Sequence, residues 1–401
     1  MLHLFNNIKK KDILDSVLKA LETNEQEEIS VAISKLMKFA IEEGLTGNIW
    51  RKYILYVLIN NDNAYTRSIE RGLEAIGGND IVMDDLAYFH ELYYMDIKFL
   101  SPIMDFKFQR KNYNTYLKEL IDEIIDVIGA NTSLKAFEYA INLFYQEHGL
   151  ADMAIYKAFR VDDGKLIPIK NLLDVTFNDL IGYQTQKKML IENTEYFLNG
   201  KPYNNVLLYG DSGTGKSTSI KALLNTYFDK GLRVIEVYKH QMQEISKIIN
   251  SLKVRPYFYI IYMDDLSFEE DEIEYKYLKS IIEGGIEPKP NNVAIYATSN
   301  RRHLIKETVS DNGDVMDDLH RNETQAEKLS LAYRFGLQIY YGSLSPKEFK
   351  VMVKALASKH NIVITEETLL KEASKWELTY GSLSGRCAAQ FISYLSNKYL
   401  R

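Results

Sequence analysis

Hydrophobic positions in the first 150 residues recur at helical spacing. Ile13, Leu14, Val17, Leu18 and Leu21 form one stripe, and Ile29, Ile33, Leu36, Met37 and Ala40 form a second. Leu117, Leu120, Ile121, Ile124, Ile125 and Ile128 form a third. Breakers separate these runs: EEGLTGN, NNDNAY, AIGGND and LSPIMD. The pattern predicts a helical domain over residues 1–150 whose stripes are core, with no repeat of the length that marks a solenoid. From residue 151 the texture changes. FRVDDGKLIPI predicts a short hairpin around Asp163-Gly164 within a linker at 151–175. Short β-rich runs then alternate with helical ones, which predicts a parallel α/β sheet over 176–343. Its strands fall at Val206–Tyr209, Arg233–Val237, Tyr257–Asp264, Val293–Thr298 and Leu337–Tyr341. After Gly342 the pattern is helical, and SPKE opens the segment 344–401 as a capping box, with Ser345 at the N-cap, Pro346 after it and Glu348 two residues further.

Composition adds limits. A chain of 401 residues exceeds one hydrophobic core. Its 46% hydrophobic and 26% charged residues are ordinary for a globular protein. No apolar run reaches the length of about 18 residues needed to span a bilayer. The longest, YFYIIYM, suits one buried strand, so no membrane insertion is expected. The opening MLHLFNNIKKKDILD lacks the apolar core of a signal peptide, and a cytoplasmic location is expected. The single cysteine, Cys387, excludes an internal disulfide and a cysteine zinc site. Residues 1–175 carry 20 Lys/Arg against 27 Asp/Glu, and residues 176–401 carry 29 against 28. Neither half has the basic signature of a nucleic-acid footprint. The locally basic KFQRKNYNTYLK (107–118) reads as a solvated helix start.

The candidate chemistry begins at GDSGTGKS. Gly210, Gly215, Lys216 and Ser217 fit the pattern G-x-x-x-x-G-K-[ST]. The glycines let successive N–H groups of Asp211, Ser212, Gly213, Thr214 and Gly215 turn inward as an anion nest, and the following helix start, with Thr218 in its first turn, adds its dipole. Lys216 is placed to reach the β- and γ-phosphates of a nucleotide and Ser217 to ligate magnesium. An apolar strand before the loop and an amphipathic helix after it (Ile220, Leu223, Leu224, Tyr227) complete the context. FYIIYM then runs into Asp264-Asp265. Acids at the end of a buried strand are unfavourable unless a cation is near, which assigns Asp264 to the metal and Asp265 to the polarisation of water. Asn300, ending the next strand, is a candidate to orient that water.

Taken in order, these segments resemble the AAA+ ATPases. GDSGTGKS looks like Walker A, FYIIYMDD like Walker B and ATSN like sensor 1. LAYRFGL is similar to the segment carrying a trans-acting arginine finger, which nominates Arg334. SLSGRCAAQF is similar to sensor 2, which nominates Arg386. FNDLIG resembles the N-terminal box that packs on adenine, nominating Ile181 and Gly182. FNDLIGYQTQKKMLIENTEYFLNGKPYNNVLLYGDSGTGKS, DDLSFE, YKYLKSIIEGG and NVAIYATSNRRHLI together resemble the bacterial AAA+ proteins grouped as domain of unknown function 815, over residues 172–401. The resemblance implies a five-stranded parallel sheet sandwiched by helices, a C-terminal helical lid, ATP and Mg2+ as cofactors, and a homo-oligomer. It names no client. The expected activity is ATP-driven remodelling or loading of a macromolecular partner, protein or nucleic acid, with the N-terminal domain as an adaptor.

Two departures stand out. AAA+ motors carry Asp-Glu where this chain has Asp264-Asp265, and the shorter side chain sets the carboxylate back by one C–C bond. DD followed by LSF is also similar to the bacterial replication initiators, so a slowly hydrolysing nucleotide switch is the second expectation. Glu269 and Glu270 are the acids nearest at hand to compensate, although they read as a solvated run. Arg301 and Arg302 are rivals to Arg334 as the finger. A small-molecule phosphotransferase is a third reading, disfavoured by the strand inventory and ATSN. The polar insert 306–328 reads as a mobile loop.

Overall fold

Helix formation in the first part of the chain follows its apolar stripes. In the computed structural model, residues 2–73, 79–108, 116–268, 272, 274–283, 289–301, 304, 331–380 and 383–399 are described. Arg302, Glu269, Glu270, the insert 306–328 and most of the basic segment 107–118 lie outside them. The chain divides into two compact units, Met1–Tyr156 and Lys157–Arg401.

The first unit is helical: α1 (Lys11–Thr23), α2 (Gln26–Glu43), α3 (Ile49–Ile59), α4 (Ala64–Glu70), α5 (Asn79–Tyr94), α6 (Tyr116–Ile128), α7 (Leu134–His148) and the short α8 (Ala151–Ile155). α3 is its axis. Of its sequence IWRKYILYVLI, every residue except Arg51 is buried, as an all-round apolar helix demands, and it packs against α2, α5, α6 and α7. The α2 stripe is rotated from the one expected. Ala32, Leu36, Phe39 and Ala40 are the buried set, Ile33 and Met37 are half-buried, and Ile41 is exposed. Contacts with α1 and α3 select the Phe39 side, where the ring meets Tyr53 and Tyr56 edge-on. The chain start is tied down by Asp85, which is 1% exposed and accepts N–H bonds from His3, Leu4 and Phe5 at 2.7–3.1 Å.

The second unit is built on a seven-stranded sheet: β1 (Ala158–Asp162), β2 (Lys165–Pro168), β3 (Val206–Gly210), β4 (Leu232–Glu236), β5 (Phe258–Met263), β6 (Val293–Ser299) and β7 (Leu337–Tyr341). The order is β2-β1-β4-β5-β6-β3-β7, parallel throughout except for the β1–β2 hairpin. The five expected parallel strands are all present. The hairpin, expected in a linker, widens the sheet, because β1 pairs with β4. Its turn holds Asp163 and Gly164 at φ 46° and 69°, the two positive values a tight two-residue hairpin turn requires. The central strands are continuous apolar runs buried on both faces, and every residue of β6 is buried. The helices are α9 (Gln184–Leu198), α10 (Lys216–Tyr227), α11 (Ile245–Leu252) and α12 (Glu274–Glu283). α9 satisfies the phenol that β6 sends into the core, since Asn193 Nδ2 and the Thr194 hydroxyl lie 3.0 and 2.9 Å from the Tyr296 oxygen.

Beyond β7 come α13 (Pro346–Lys359), α14 (Glu366–Tyr380) and α15 (Gly385–Tyr399), with their own core around Phe349, Val353, Phe391 and Leu395. The capping box forms as expected: Ser345 Oγ accepts the Glu348 N–H at 3.3 Å, and Glu348 Oε2 accepts the Ser345 N–H at 2.8 Å. Ser345→Ala should therefore lower stability in denaturant unfolding by about 1 kcal/mol, and an unchanged midpoint would show that the cap contributes nothing.

Candidate functional site

Parallel strands end on one edge, and here β3, β5 and β6 bring their carboxyl ends together because β6 lies between the other two. The 210–217 loop leaves β3, Asp264-Asp265 leave β5, and Asn300 leaves β6. Around them is a cavity of about 650 Å³, lined by loop residues Ser212 to Thr218, by Asp264, Asp265, Thr298 and Asn300, and by Arg386.

The loop is closed by its own lysine. Lys216 is 6% exposed, and its Nζ donates to the Gly210 and Asp211 carbonyls at 2.8 and 2.7 Å and to Asn300 Oδ1 at 3.0 Å. Burial lowers the pKa of this ammonium, against the opposing pull of Asp265, Asp211 and Asp264. Thr214 Oγ1 donates to the Asp211 carbonyl at 2.8 Å. The loop's glycines are dictated by packing as well as by φ. At Gly213 (φ 77°) a Cβ would stand 2.8 Å from Arg386 Cβ, and at Gly215 (φ 98°) it would stand 2.8 Å from Leu180 Cδ2.

Asp264 is held by hydroxyls. Ser217 Oγ, the Tyr262 phenol and Thr298 Oγ1 donate to its Oδ1 at 2.7, 2.6 and 2.5 Å. Desolvation pushes this carboxyl up, but the three donors outweigh it and hold the pKa below the ordinary value. The donor set, a carboxylate beside a serine hydroxyl, is the hard-oxygen chemistry that Mg2+ prefers. Asp265 sits next to it at φ 51°, its N–H bonded to Thr298 Oγ1 at 2.9 Å and its Oδ1 accepting from Asn300 Nδ2 at 2.6 Å. Asn300 thus spends both ends of its amide, the oxygen on Lys216 and the nitrogen on Asp265, rather than turning it toward a water.

Lid residues reach the loop directly. The Arg386 N–H donates to the Gly213 carbonyl at 3.1 Å, and its Nη1 lies 3.4 Å from Ser212 Oγ. Asp211 Oδ2 accepts from the Ser343 N–H and hydroxyl at 2.8 and 2.7 Å, which lowers the Asp211 pKa. Ile181 lines the cavity, whereas its neighbour Gly182 does not. Arg334, half-exposed in the turn before β7, and the exposed Arg301 are not among the lining residues. The residues missed from sequence are Thr298, Tyr262 and Ser343. The first two had a usable signal: each stands two positions before a nominated residue on its strand, on the same face.

A family model described as "Protein of unknown function (DUF815)" matches residues 152–399. No curated protein matches the chain. Among solved structures, the Thermotoga maritima RuvB Holliday junction branch migration motor is similar at 16% identity, with 55% of this chain and 71% of that one covered and a TM-score of 0.33. A point mutant of RuvB from Thermotoga maritima is similar at 14% identity, over 56% and 73%, with a TM-score of 0.34.

One rim contact gives a pH test. Asp179, which lines the cavity, pairs with Lys359 at the end of α13 and also accepts from Thr176, and together these lower its pKa to about 2. A depressed carboxylate contributes stability that is present above its unfolded pKa of about 3.9 and lost as pH falls toward the folded value. Stability measured from pH 5 to pH 2 should fall less steeply in Asp179→Asn than in wild type. Parallel curves would mean that the pair adds nothing.

Proposed function

The chain belongs to the family described as "Protein of unknown function (DUF815)" and carries the AAA+ P-loop fold, and from that premise we propose that it binds and hydrolyses ATP to remodel or load a macromolecular partner as a homo-oligomer. The observation that carries this reading is the unbroken hydrogen-bond path across the cavity edge. It runs from Lys216 to Asn300, from Asn300 to Asp265, through the Asp265 N–H to Thr298, from Thr298 to Asp264, and from Asp264 to Ser217.

Under this reading the loop N–H groups and Lys216 take the phosphates. The apolar side of the cavity, Leu180, Ile181, Met352 and Leu356, takes the nucleoside. Ser217 and Asp264 would hold Mg2+, which when bound neutralises phosphate charge. Asp265 polarises the attacking water, and Asn300 fixes the Asp265 carboxylate while keeping Lys216 in register. Arg386 contributes from the lid of the same chain. Arg334, outside the cavity lining, is assigned to the neighbouring subunit's site, where an arginine stabilises charge developing in the transition state.

The slow-switch reading has one observation of its own: Asp265 is a short acid in a left-handed conformation already bonded to Asn300. The phosphotransferase reading loses ground, because β6 separates the acidic strand from the phosphate-loop strand.

Lys216→Ala should abolish ATP binding in calorimetry while leaving the melting curve near wild type, and unchanged affinity would sink the assignment. Arg334→Ala should bind ATP normally yet lose hydrolysis by about three orders of magnitude, the scale of an arginine finger. Mixing it with Lys216→Ala should restore part of the turnover. No restoration would count against a shared site. Asp265→Glu separates motor from switch: faster steady-state turnover in the variant supports the switch, and lost turnover supports a motor tuned around aspartate.

A further inference from the structure

Lys187, in the second turn of α9, is a buried cation that the path above does not use. It is 8% exposed, and its Nζ donates to the Phe177 carbonyl at 3.0 Å and to the Leu180 carbonyl. Both acceptors belong to the turn that leads into the cavity wall. Leu180, itself 8% exposed, lines the cavity, and its Cδ2 occupies the space that a side chain at Gly215 would need. Ile181 follows on the same wall. An ammonium carries three donors on a flexible stem, so it can satisfy two convergent carbonyls that no neutral apolar side chain could. Burial lowers the lysine's pKa, which marks the cost at which the charge is kept there.

We infer that Lys187 is a positioning residue for nucleoside recognition: by clamping the Phe177 and Leu180 carbonyls it seats Leu180 against the phosphate-loop glycine and fixes the apolar wall that receives the base. The inference rests on the nucleotide reading of this cavity. It separates the two ends of the ligand, because the phosphates are held by the 210–217 loop and Lys216, which Lys187 does not touch.

The experiment measures affinity for ATP and for inorganic tripolyphosphate, by calorimetry, in wild type, K187M and K187Q. K187M keeps the stem and removes the donors. It should weaken ATP by about tenfold or more, the scale of a lost hydrogen bond to a charged group, and leave tripolyphosphate within about twofold. K187Q keeps two N–H donors on a shorter stem and should fall between K187M and wild type for ATP alone. Should K187M fail to fold, the ratio of ATP to tripolyphosphate affinity in K187Q decides. ATP affinity unchanged in both variants, or ATP and tripolyphosphate weakened together, would overturn the assignment of Lys187. A wild-type chain that binds neither ligand would overturn the nucleotide reading itself.

Discussion

One carboxylate oxygen organises the second unit's functional edge. Asp264 Oδ1 accepts hydroxyl bonds from Ser217, Tyr262 and Thr298, which belong to the first turn of α10, to β5 and to β6. Three donors on one oxygen are more than a surface carboxylate gathers, and each fixes a different element against the same point. The arrangement depends on strand order. Only with β6 between β5 and β3 does Thr298 stand beside both Asp264 and the loop strand, where it pairs with Leu208. The twelve-residue helix that follows the loop is set by the same oxygen, because Ser217 is its second residue. Those donors, with the charge of Lys221, favour the ionised carboxylate and hold its pKa below the ordinary value.

The 210–217 loop answers to the segment beyond β7 as well as to the sheet. Its entry is tied at Asp211, which takes two bonds from Ser343 at the junction between β7 and α13, and its crown is tied at Gly213, whose carbonyl accepts the Arg386 N–H. Gly213 has no room for a side chain because Arg386 stands where one would go. A larger displacement of the loop must therefore break these bonds or carry the helical segment with it. Packed interfaces of this kind resist continuous deformation, so the adjustment is made between discrete arrangements. Through these contacts a displacement of the 210–217 loop is passed to Ser343 and to α15.

How much of this was legible in the chain follows from which residues have one meaning and which have several. Gly210, Gly215 and Lys216 at fixed spacing carry a narrow reading, and the strand before them and the helix after them are where the pattern puts them. Strand positions followed from apolar runs, with ends within a residue or so of those expected. Thr298 and Tyr262 were passed over because a threonine and a tyrosine in a buried strand are ordinary strand residues. Only the period-two placement beside Asp264 and Asn300 distinguished them. Lys187 carried no signal at all, since a lysine on a helix is a surface residue until the fold buries it. The hairpin's place at the sheet edge and the rotation of α2 depend on contacts between distant segments, which periodicity within one segment does not encode.

The Asp-for-Glu departure at position 265 is best understood together with its backbone. A non-glycine residue at φ 51° is strained unless local bonds hold it, and here two do: its N–H on Thr298 and its carboxylate on Asn300. Aspartate is among the few residues that tolerate this region, because its short polar side chain can bond nearby groups. A glutamate would extend one methylene past the 2.6 Å contact with Asn300 and would have weaker local bonding to offset the left-handed turn. Short side chain and turned backbone are thus two halves of one arrangement, each making the other tolerable. The consequence is mechanical: Asp265, already on the cavity wall, is linked through the Asn300 amide to Lys216, so a rotation of the acid breaks its 2.6 Å bond to Asn300. The same amide's oxygen holds Lys216 at 3.0 Å, so one side chain carries both contacts.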